Sequence, residues 1–252
     1  MENSIIKLHN EFIKIRNMGY VPSVYQHRHS AGSTFERLLG KQSDELFWPD
    51  YEGIEIKTKK GYSKTKIGLF TANPDGKYLF VVQDLLEKFG KEKNGTKSFM
   101  LEVNAYDYSF YNNHKYKLVI DYKQQVLCLK VYDFHNNLVY DDITWSFELL
   151  KERINLKMQT LAFIKCCTKI KNNLENYWYY RMDIYQELDF TNFLKQLEKG
   201  NISIRIGIGI FKTGKRVGQV HNHGMEFSIQ EEHLKELYNK VIDYKKIPLV
   251  NL

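Results

Sequence analysis

Two carboxylates and a lysine lie close together between Trp48 and Lys60, and their spacing suits metal-assisted hydrolysis. Asp50 follows a proline that favours a turn, and Glu55 and Lys57 belong to an alternating segment that predicts a β-strand. Side chains two residues apart on a strand point the same way, so we expect Glu55 and Lys57 side by side. The carboxylates could share a Mg²⁺ ion, and the lysine could orient or deprotonate a water molecule. A solvent-exposed strand edge with alternating charges would give the same letters.

A helix and a second strand are predicted on either side of this motif. Upstream, Gly32 to Gly40 is typical of a short helix that begins at Ser33 or Thr34, ends at the second glycine and carries Glu36 in its first turn. Downstream, Ile67 to Gly76 predicts a strand that is closed by an Asn-Pro-Asp-Gly turn.

A second group of candidate residues lies toward the C-terminus. Isoleucines at every second position predict a strand with one buried face over Ile202 to Phe211, and this strand carries Arg205. A basic loop punctuated by glycines follows, and the tetrapeptide His221-Asn222-His223-Gly224 comes after it.

These motifs, in this order, resemble the MvaI/BcnI family of type II restriction endonucleases, which are relatives of the mismatch-repair nicking enzyme MutH. The family pattern has a T-x-E-x-L-L-G helix, a P-D-x-x-G-I-E-[IL]-K segment, an L-F-T-x-x-P segment, an R-[IL]-G strand and an H-D-H-G loop. The resemblance runs from about Gly19 to the C-terminal helix. It implies an α/β fold with a mixed-sheet PD-(D/E)xK core, which is restriction endonuclease-like and MutH-like, and two lobes flanking a DNA cleft.

The resemblance also implies roles for the catalytic candidates. Asp50 and Glu55 would be the metal ligands, with Mg²⁺ as the cofactor and Mn²⁺ as a possible substitute. Lys57 would hold the nucleophilic water and neutralise charge in the transition state. Glu36 matches a helical glutamate near the metal centre, where it could bind the metal through water or orient Lys57. An exposed helix charge is the alternative for Glu36.

For the C-terminal group, the resemblance implies base recognition in the major groove by the His-Asn-His loop. Arg205 suits a guanine, whereas Lys212 and its basic neighbours suit phosphates. Asn222 stands where the family usually has aspartate, which leaves the base preference open. We reject an HNH-nuclease interpretation because that motif needs histidines spaced across a ββα unit. Histidines that pack a turn are the alternative. The DNA-binding candidates are Arg205, Lys215, Arg216, His221, Asn222, His223, His27 and Arg28.

His27 and Arg28 lie just before the Glu36 helix, where family members commonly have a segment rich in glycine and asparagine. The chain therefore departs from the family pattern at this point. A DNA contact near the scissile phosphate and a solvent-exposed loop are both open.

Composition is consistent with an intracellular nucleic-acid-binding protein. Lys and Arg outnumber Asp and Glu by 37 to 30, which suits a surface that meets phosphate, although a solubilising surface has the same excess. Three scattered cysteines show neither zinc-ligand spacing nor a disulfide framework, and a reducing cytoplasm fits them best. The N-terminal segment predicts an amphipathic helix and no signal peptide, and no run is long enough to span a membrane.

The remaining elements are predicted from periodicity and from Gly or Pro breaks. We expect a single endonuclease domain over 1–252, with a catalytic lobe at 1–110, a DNA-recognition lobe at 150–252 and a strand-rich connection at 111–149. The predicted helices are Ile5 to Asn17, Tyr78 to Phe89, Phe147 to Leu156, Thr191 to Lys199 and one within Ile229 to Tyr244. The predicted strands are those of Ser98 to Tyr140, with a hairpin at Lys117 to Tyr132, Thr160 to Ile170 and Tyr177 to Gln186, and a charged loop is expected at Lys91 to Lys97.

The expected protein is a Mg²⁺-dependent type II site-specific deoxyribonuclease. It would act as a monomer that nicks the two strands of duplex DNA in turn at a short, GC-rich, pseudo-palindromic site, with a cognate methyltransferase encoded nearby. A MutH-type repair nuclease that nicks one strand is the alternative, and it would need a partner protein. A non-catalytic DNA-binding protein is a third possibility, but the intact Asp50, Glu55 and Lys57 argue against it.

Overall fold

The computed structural model describes residues 1–25, 30–40, 48–76, 78–93 and 95–247, and the chain divides into two compact units. Unit 1 comprises Met1–Ile67, Ile154–Asp189 and Leu234–Leu252, and unit 2 comprises Gly68–Arg153 and Phe190–His233. Each unit therefore draws on both halves of the chain, whereas the lobes expected from the sequence are contiguous. The single-domain assignment and the lobe boundaries stay predictions.

The helices within these ranges are α1 (Glu2–Asn17), α2 (Ser30–Leu38), α3 (Tyr78–Phe89), α4 (Phe147–Lys157), α5 (Phe190–Glu198) and α6 (Glu231–Leu234). The strands are β1 (Val21–Pro22), β2 (Glu55–Lys60), β3 (Ile67–Thr71), β4 (Lys91–Lys93), β5 (Thr96–Asn104), β6 (Ser109–Tyr111), β7 (His114–Asp121), β8 (Val126–Tyr132), β9 (Leu138–Ser146), β10 (Thr160–Lys171), β11 (Leu174–Leu188), β12 (Ile202–Ile210), β13 (Val220–Ile229) and β14 (Tyr238–Asp243). None of these helices is long and apolar enough to cross a membrane.

Unit 1 is built on a mixed sheet in which the strands lie in the order β1-β11-β10-β2, and β14 also pairs with β11. Strand β2 runs parallel to β10, and the other pairs are antiparallel. The apolar stripe of α1, with residues three or four apart, packs on one face of this sheet. Ile54 and Ile56 point into the same core, so Glu55 and Lys57 point to the opposite face of the sheet.

Unit 2 contains two sheets, of order β3-β13-β12-β5-β4 and β6-β7-β8-β9. The pairs from β13 to β4 and from β6 to β9 are antiparallel. Of the alternate isoleucines of β12, the first four are fully buried, as their spacing predicts, and Ile210 at the end of the strand is partly buried. Aromatic rings are also buried in this unit, and Phe227 of β13 contacts Phe70 of β3 and Phe193 of α5 at centroid distances of 4.9 and 6.1 Å. This core holds β12 and β13, which carry the predicted base-reading residues.

The charged segment Lys91 to Lys97, expected to be a loop, forms β4 and the start of β5, which pair as a hairpin. The sequence signal for it is Asn94-Gly95, a common hairpin turn, and Gly95 has the positive φ of +70° that such turns use.

The closing segment Ile229 to Tyr244 contains the predicted helix, but this helix is short and a strand follows it. Helix α6 has four residues, a 3₁₀ turn at Lys235–Leu237 follows it, and β14 then pairs antiparallel with β11. The pairing of β14 is with a distant strand, so local periodicity does not predict it. Helix α2 also begins at Ser30, earlier than the predicted Ser33 or Thr34.

Candidate active site

A two-residue turn precedes β2 and determines where Asp50 lies. The N–H groups of Tyr51 and Ile54 each donate to the other residue's carbonyl oxygen, at 2.9 and 2.8 Å. The two residues between them, Glu52 and Gly53, have φ values of +42° and +87°, which are typical of a type I′ turn. The turn reverses the direction of the chain, so Asp50, which precedes the turn, lies alongside β2.

Asp50 is attached to β2 by its side chain. Its Oδ2 atom accepts a hydrogen bond of 2.9 Å from the backbone N–H of Ile56, the residue next to Glu55. Strand β2 pairs with β10 along its other edge. The Ile56 N–H takes no part in that pairing, and the Asp50 carboxylate accepts its hydrogen bond instead. Asp50 therefore folds back toward Glu55, as the proline and the turn predict.

The two oxygens of Glu55 have different surroundings. The carboxylate is 1% exposed, and its Oε1 atom lies 2.6 Å from Nζ of Lys57 and 3.5 Å from Nζ of Lys157. Its Oε2 atom is buried and has no hydrogen-bond partner among the described residues. Glu55 and Lys57 thus share one face of β2, as predicted, and one carboxylate oxygen is open to a further ligand.

Burial is the main cause that raises the pKa of Glu55 above its usual value, and the nearby charge of Asp50 raises it further. The charges of Lys57 and Lys157 act in the opposite direction, but they do not outweigh burial. A buried carboxylate with a second, half-buried carboxylate beside it favours a bound cation.

Two carboxylates and an unsatisfied buried oxygen fit a divalent metal ion. Mg²⁺ in nucleic-acid enzymes is commonly held by one or two carboxylates, with phosphate and water completing the coordination. Among the described residues, no three His, Cys, Asp or Glu side chains come together as a metal-binding group. Glu36 therefore does not complete a three-residue ligand set with Asp50 and Glu55, and its proposed role stays a prediction.

Glu36 lies on α2, whose Phe35 packs against Tyr179 of β11 at a centroid distance of 5.0 Å. The Tyr179 hydroxyl donates to the carbonyl oxygen of Ala31 in the first turn of this helix, at 2.7 Å. These contacts attach α2 to the central sheet of unit 1. His27 and Arg28, which precede α2, lie outside the described residues.

Lys157 is a residue of this site that was not among the candidates selected from the sequence. It is the last residue of α4, and its Nζ atom brings a second positive charge to Oε1 of Glu55. The two residues are distant in sequence, and a lysine in the last turn of a helix is common for electrostatic reasons alone. No local signal distinguishes Lys157 from the other lysines of the chain.

In unit 2, Arg205 is held by a carboxylate on the neighbouring strand. Its Nη2 atom donates to Oε2 of Glu226 at 2.5 Å, and the two residues are directly paired between β12 and β13. The Arg205 side chain is 62% exposed, so the guanidinium group remains accessible from solvent.

The segment His221 to Gly224 is part of strand β13 and not the loop that was expected. Ile206 pairs with Met225 and Ile208 pairs with Asn222, so two residues of β13 face one residue of β12 in a β-bulge. Gly224 has a φ of +88°, and its N–H donates to Oδ1 of Asn222 at 2.9 Å. The bulge thus uses the Asn222 side chain to satisfy a backbone donor. The side chain of His223 is outside the described part of the structure.

The basic hairpin loop between β12 and β13 contains an aromatic stack. The ring of His221 lies on Phe211 at 4.2 Å and 26°, and the guanidinium carbon of Arg216 lies 4.5 Å from the centroid of Phe211. Lys212 and Lys215 in the same loop are exposed. Arg216, predicted to bind phosphate, therefore also packs on an aromatic ring that supports His221.

The mixed sheet of unit 1 and the carboxylate-lysine site on its edge strand define a nuclease of the restriction endonuclease-like class. The family model described as "MvaI/BcnI restriction endonuclease family" matches residues 9–238 of the chain. The protein belongs to this family, which confirms the resemblance seen in the sequence, and it is a DNA-cleaving hydrolase. Restriction endonucleases of this kind generally use divalent metal ions.

Two solved structures support the same assignment. One, described as a complex of restriction endonuclease MvaI with a cognate DNA substrate, is similar with 29% identity and a TM-score of 0.86, over 94% of this chain and 97% of the other. The second, restriction endonuclease MvaI in the absence of DNA, is 29% identical with a TM-score of 0.65, over 97% and 98% of the two chains. No curated protein matches the sequence.

Proposed function

We propose that the protein is a type II restriction endonuclease that hydrolyses a phosphodiester bond in duplex DNA with Mg²⁺. The observation that carries this proposal is the asymmetry of Glu55, whose Oε1 is bound by lysines while the buried Oε2 has no partner among the described residues. A buried oxygen without a hydrogen-bond partner is expected to bind a ligand. Because Asp50 adds a second carboxylate beside it, the ligand with matching charge is a cation.

In the proposed mechanism, Asp50 and Glu55 hold the metal ion, which would supply Lewis-acid stabilisation of the phosphate. Lys57 orients the attacking water and neutralises developing negative charge, since its ammonium lies 2.6 Å from Glu55 on the same face of β2. The products would carry 5′-phosphate and 3′-hydroxyl ends. Mn²⁺ would replace Mg²⁺ because the site offers the hard oxygen ligands that both ions accept.

Sequence recognition is assigned to unit 2. Arg205 would bind guanine through its planar guanidinium, which Glu226 holds in one orientation. His221, Asn222 and His223 on β13 would contact other base edges. Lys215, Arg216 and Lys212 would mainly bind phosphates, so they would add affinity with little discrimination.

The proposed target is a short, GC-rich, pseudo-palindromic site, and the proposed active form is a monomer in the cytoplasm. One chain carries one Asp50-Glu55-Lys57 site and would hydrolyse one strand in each binding event. A cognate methyltransferase encoded nearby would protect the host DNA. The complex of a similar protein, MvaI, with its cognate DNA supports double-stranded DNA as the partner.

Plasmid cleavage tests the proposal. Supercoiled plasmid is incubated with the protein and Mg²⁺, and the product ends are sequenced, with Glu55→Gln as the matched inactive variant. We expect a nicked intermediate before linear product, a common sequence at all ends, and a rate per protein that does not depend on protein concentration. Cleavage that persists in EDTA, or a Glu55→Gln protein that cuts at the wild-type rate, would contradict the metal mechanism.

A further inference from the structure

The hydroxyl of Tyr238 is a buried polar group in unit 1 to which the mechanism above gives no role. Tyr238 is the first residue of β14, pairs with Leu188 of β11 and is 6% exposed. Its Oη atom is buried and has no hydrogen-bond partner among the described residues. Buried hydroxyl groups nearly always have a partner, and a water molecule can supply it.

Strand register places Tyr185 on the same face of the sheet as Glu55, and a ring contact joins Tyr238 to Tyr185. Glu55 pairs with Leu161, and Leu161 pairs with Tyr185, so the side chains of these three residues lie in one row. The ring of Tyr238 contacts that of Tyr185 at a centroid distance of 5.4 Å. This contact brings the Tyr238 ring against a residue of the face that carries Glu55.

Electrostatics agrees with this placement. Burial is the main cause that raises the pKa of Tyr238 well above its usual value, and the negative charge of Glu55 is the next cause. The hydroxyl is thus within electrostatic reach of the carboxylate whose Oε2 also lacks a partner among the described residues.

The two unsatisfied atoms are chemically complementary. A tyrosine hydroxyl donates one hydrogen bond, and a carboxylate oxygen accepts up to two. A single water molecule can accept from Oη and donate to Oε2, and buried waters commonly join such pairs. One lone pair of Oε2 would then remain for a cation.

We propose that Tyr238 is a positioning residue for Glu55, and that its hydroxyl acts through one buried water to hold Oε2 in the orientation that binds the metal ion. The two lysines hold Oε1, and Tyr238 holds Oε2, so the carboxylate is constrained from both sides. This inference rests on the proposed function of Glu55 as a metal ligand.

Binding of Mn²⁺ to the full-length protein, followed by the EPR signal of free Mn²⁺, tests the proposal without measuring activity. Tyr238→Phe removes only the hydroxyl, and we expect its Mn²⁺ affinity to fall about 10- to 100-fold, as for outer-sphere partners of metal ligands in general. The matched control is Tyr116→Phe in unit 2, which removes another buried hydroxyl without a hydrogen-bond partner among the described residues. Its Mn²⁺ affinity should equal that of the wild type.

Cleavage kinetics separate positioning from a merely structural role. In Tyr238→Phe, the Mg²⁺ concentration for half-maximal rate should rise by the same factor, while kcat at saturating Mg²⁺ should change less. A purely structural role would overturn the proposal. In that case Tyr238→Phe would have a lower thermal unfolding temperature in EDTA, but the Mg²⁺ concentration for half-maximal rate of the folded protein would equal that of the wild type.

The Glu55→Gln variant distinguishes the two levels of inference. If Glu55→Gln loses Mn²⁺ binding while Tyr238→Phe binds as the wild type does, the role of Tyr238 is overturned and the proposed function stands. If Glu55→Gln binds Mn²⁺ normally, both are overturned. If Tyr238→Phe does not fold, a crystal structure of the metal-free wild type decides, since one water should lie within hydrogen-bond distance of both Oη and Oε2, and its absence would refute the bridge.

Discussion

The side chain of Glu226 on β13 lies directly against Gly68 on the neighbouring strand β3, because a Cβ atom on Gly68 would lie 2.3 Å from Oε1 of Glu226. The other oxygen of the same carboxylate binds Arg205. The missing side chain at position 68 therefore leaves the space in which Glu226 lies and from which it orients the guanidinium group. A glycine that belongs to the strand after the catalytic motif thus contributes to the proposed reading of bases.

Gly68→Ala should displace the Glu226 carboxylate, which is the end of a flexible side chain, and release Arg205 without unfolding the protein. We expect discrimination between target and scrambled duplexes to fall by about 1–3 kcal/mol, the usual contribution of one bidentate base contact. Competition binding measures this, and Gly209→Ala is the control because a Cβ atom there has no neighbour within 4 Å. Equal losses on both duplexes would show that Glu226 does not orient Arg205 for base recognition.

Asn222→Asp should keep the bulge of β13, because an aspartate Oδ1 can accept the Gly224 N–H as the asparagine Oδ1 does. The added charge should shift base preference toward cytosine, whose N4 amino group donates in the major groove. Thermal unfolding should be nearly unchanged, and cleavage of a library of duplexes should show an altered target. An unchanged target profile would remove Asn222 from the base-reading set. Asn222→Ala, which loses the bond to Gly224, should instead lower stability.

Lys157→Met should move the acid limb of the pH-rate profile to higher pH at limiting Mg²⁺. The charge of Lys157 lowers the pKa of Glu55, which burial holds above its usual value, so its loss should raise that pKa further. Since cleavage is proposed to need the ionised carboxylate, a larger fraction of the enzyme would be inactive at a given acidic pH. Lys151→Met on the same helix is the control, because Lys151 packs over Phe190. Coincident profiles for the wild type and Lys157→Met would exclude this role.

Glu175→Gln should lower stability at neutral pH and have little effect in acid. The Lys60 ammonium, at 2.7 and 2.8 Å, and the Tyr177 hydroxyl donate to Glu175 and lower its pKa below the usual 4.5. A lowered pKa gives stability that is present above pH 4.5 and is lost as the pH falls through the folded-state pKa.

The magnitude should be about 1 kcal/mol or less, because the pair is partly exposed to solvent. Thermal unfolding of Glu175→Gln and wild type from pH 3 to pH 8 measures it. A difference that persists unchanged at pH 3 would mean that the contribution is packing rather than charge.

The catalytic motif could be predicted because its geometry is local. Asp50, Glu55 and Lys57 are brought together by one turn and by the alternation of one strand. Both the turn and the alternation can be recognised in the sequence. Lys157 and Tyr238 reach the same site through other elements that are remote in the chain. No periodicity or spacing in the sequence indicates those contacts, so these two residues could not be identified from a single sequence.

The C-terminal strands show the same limit. The isoleucines of β12 predict it well because one fully buried face imposes a period of two. Strand β14 has no such pattern, since Val241 in its middle is 47% exposed and its pairing with β11 is non-local. The bulge at Gly224 likewise makes β13 difficult to predict from the sequence, because it interrupts the alternation on which strand prediction depends.

That bulge also separates two kinds of evolutionary constraint within one strand. Beyond it, Met225, Phe227 and Ile229 are fully buried and their replacement would cost stability. Before it, Val220 to Asn222 are only half-buried and contribute no side chain to the core. Mutations at Val220 and His221 should therefore cost less stability than mutations in the second half, whereas Asn222 is constrained by its bond to Gly224. If these positions read bases as proposed, a nuclease built in this way can acquire a new target sequence through changes at a few positions without first acquiring a more stable scaffold.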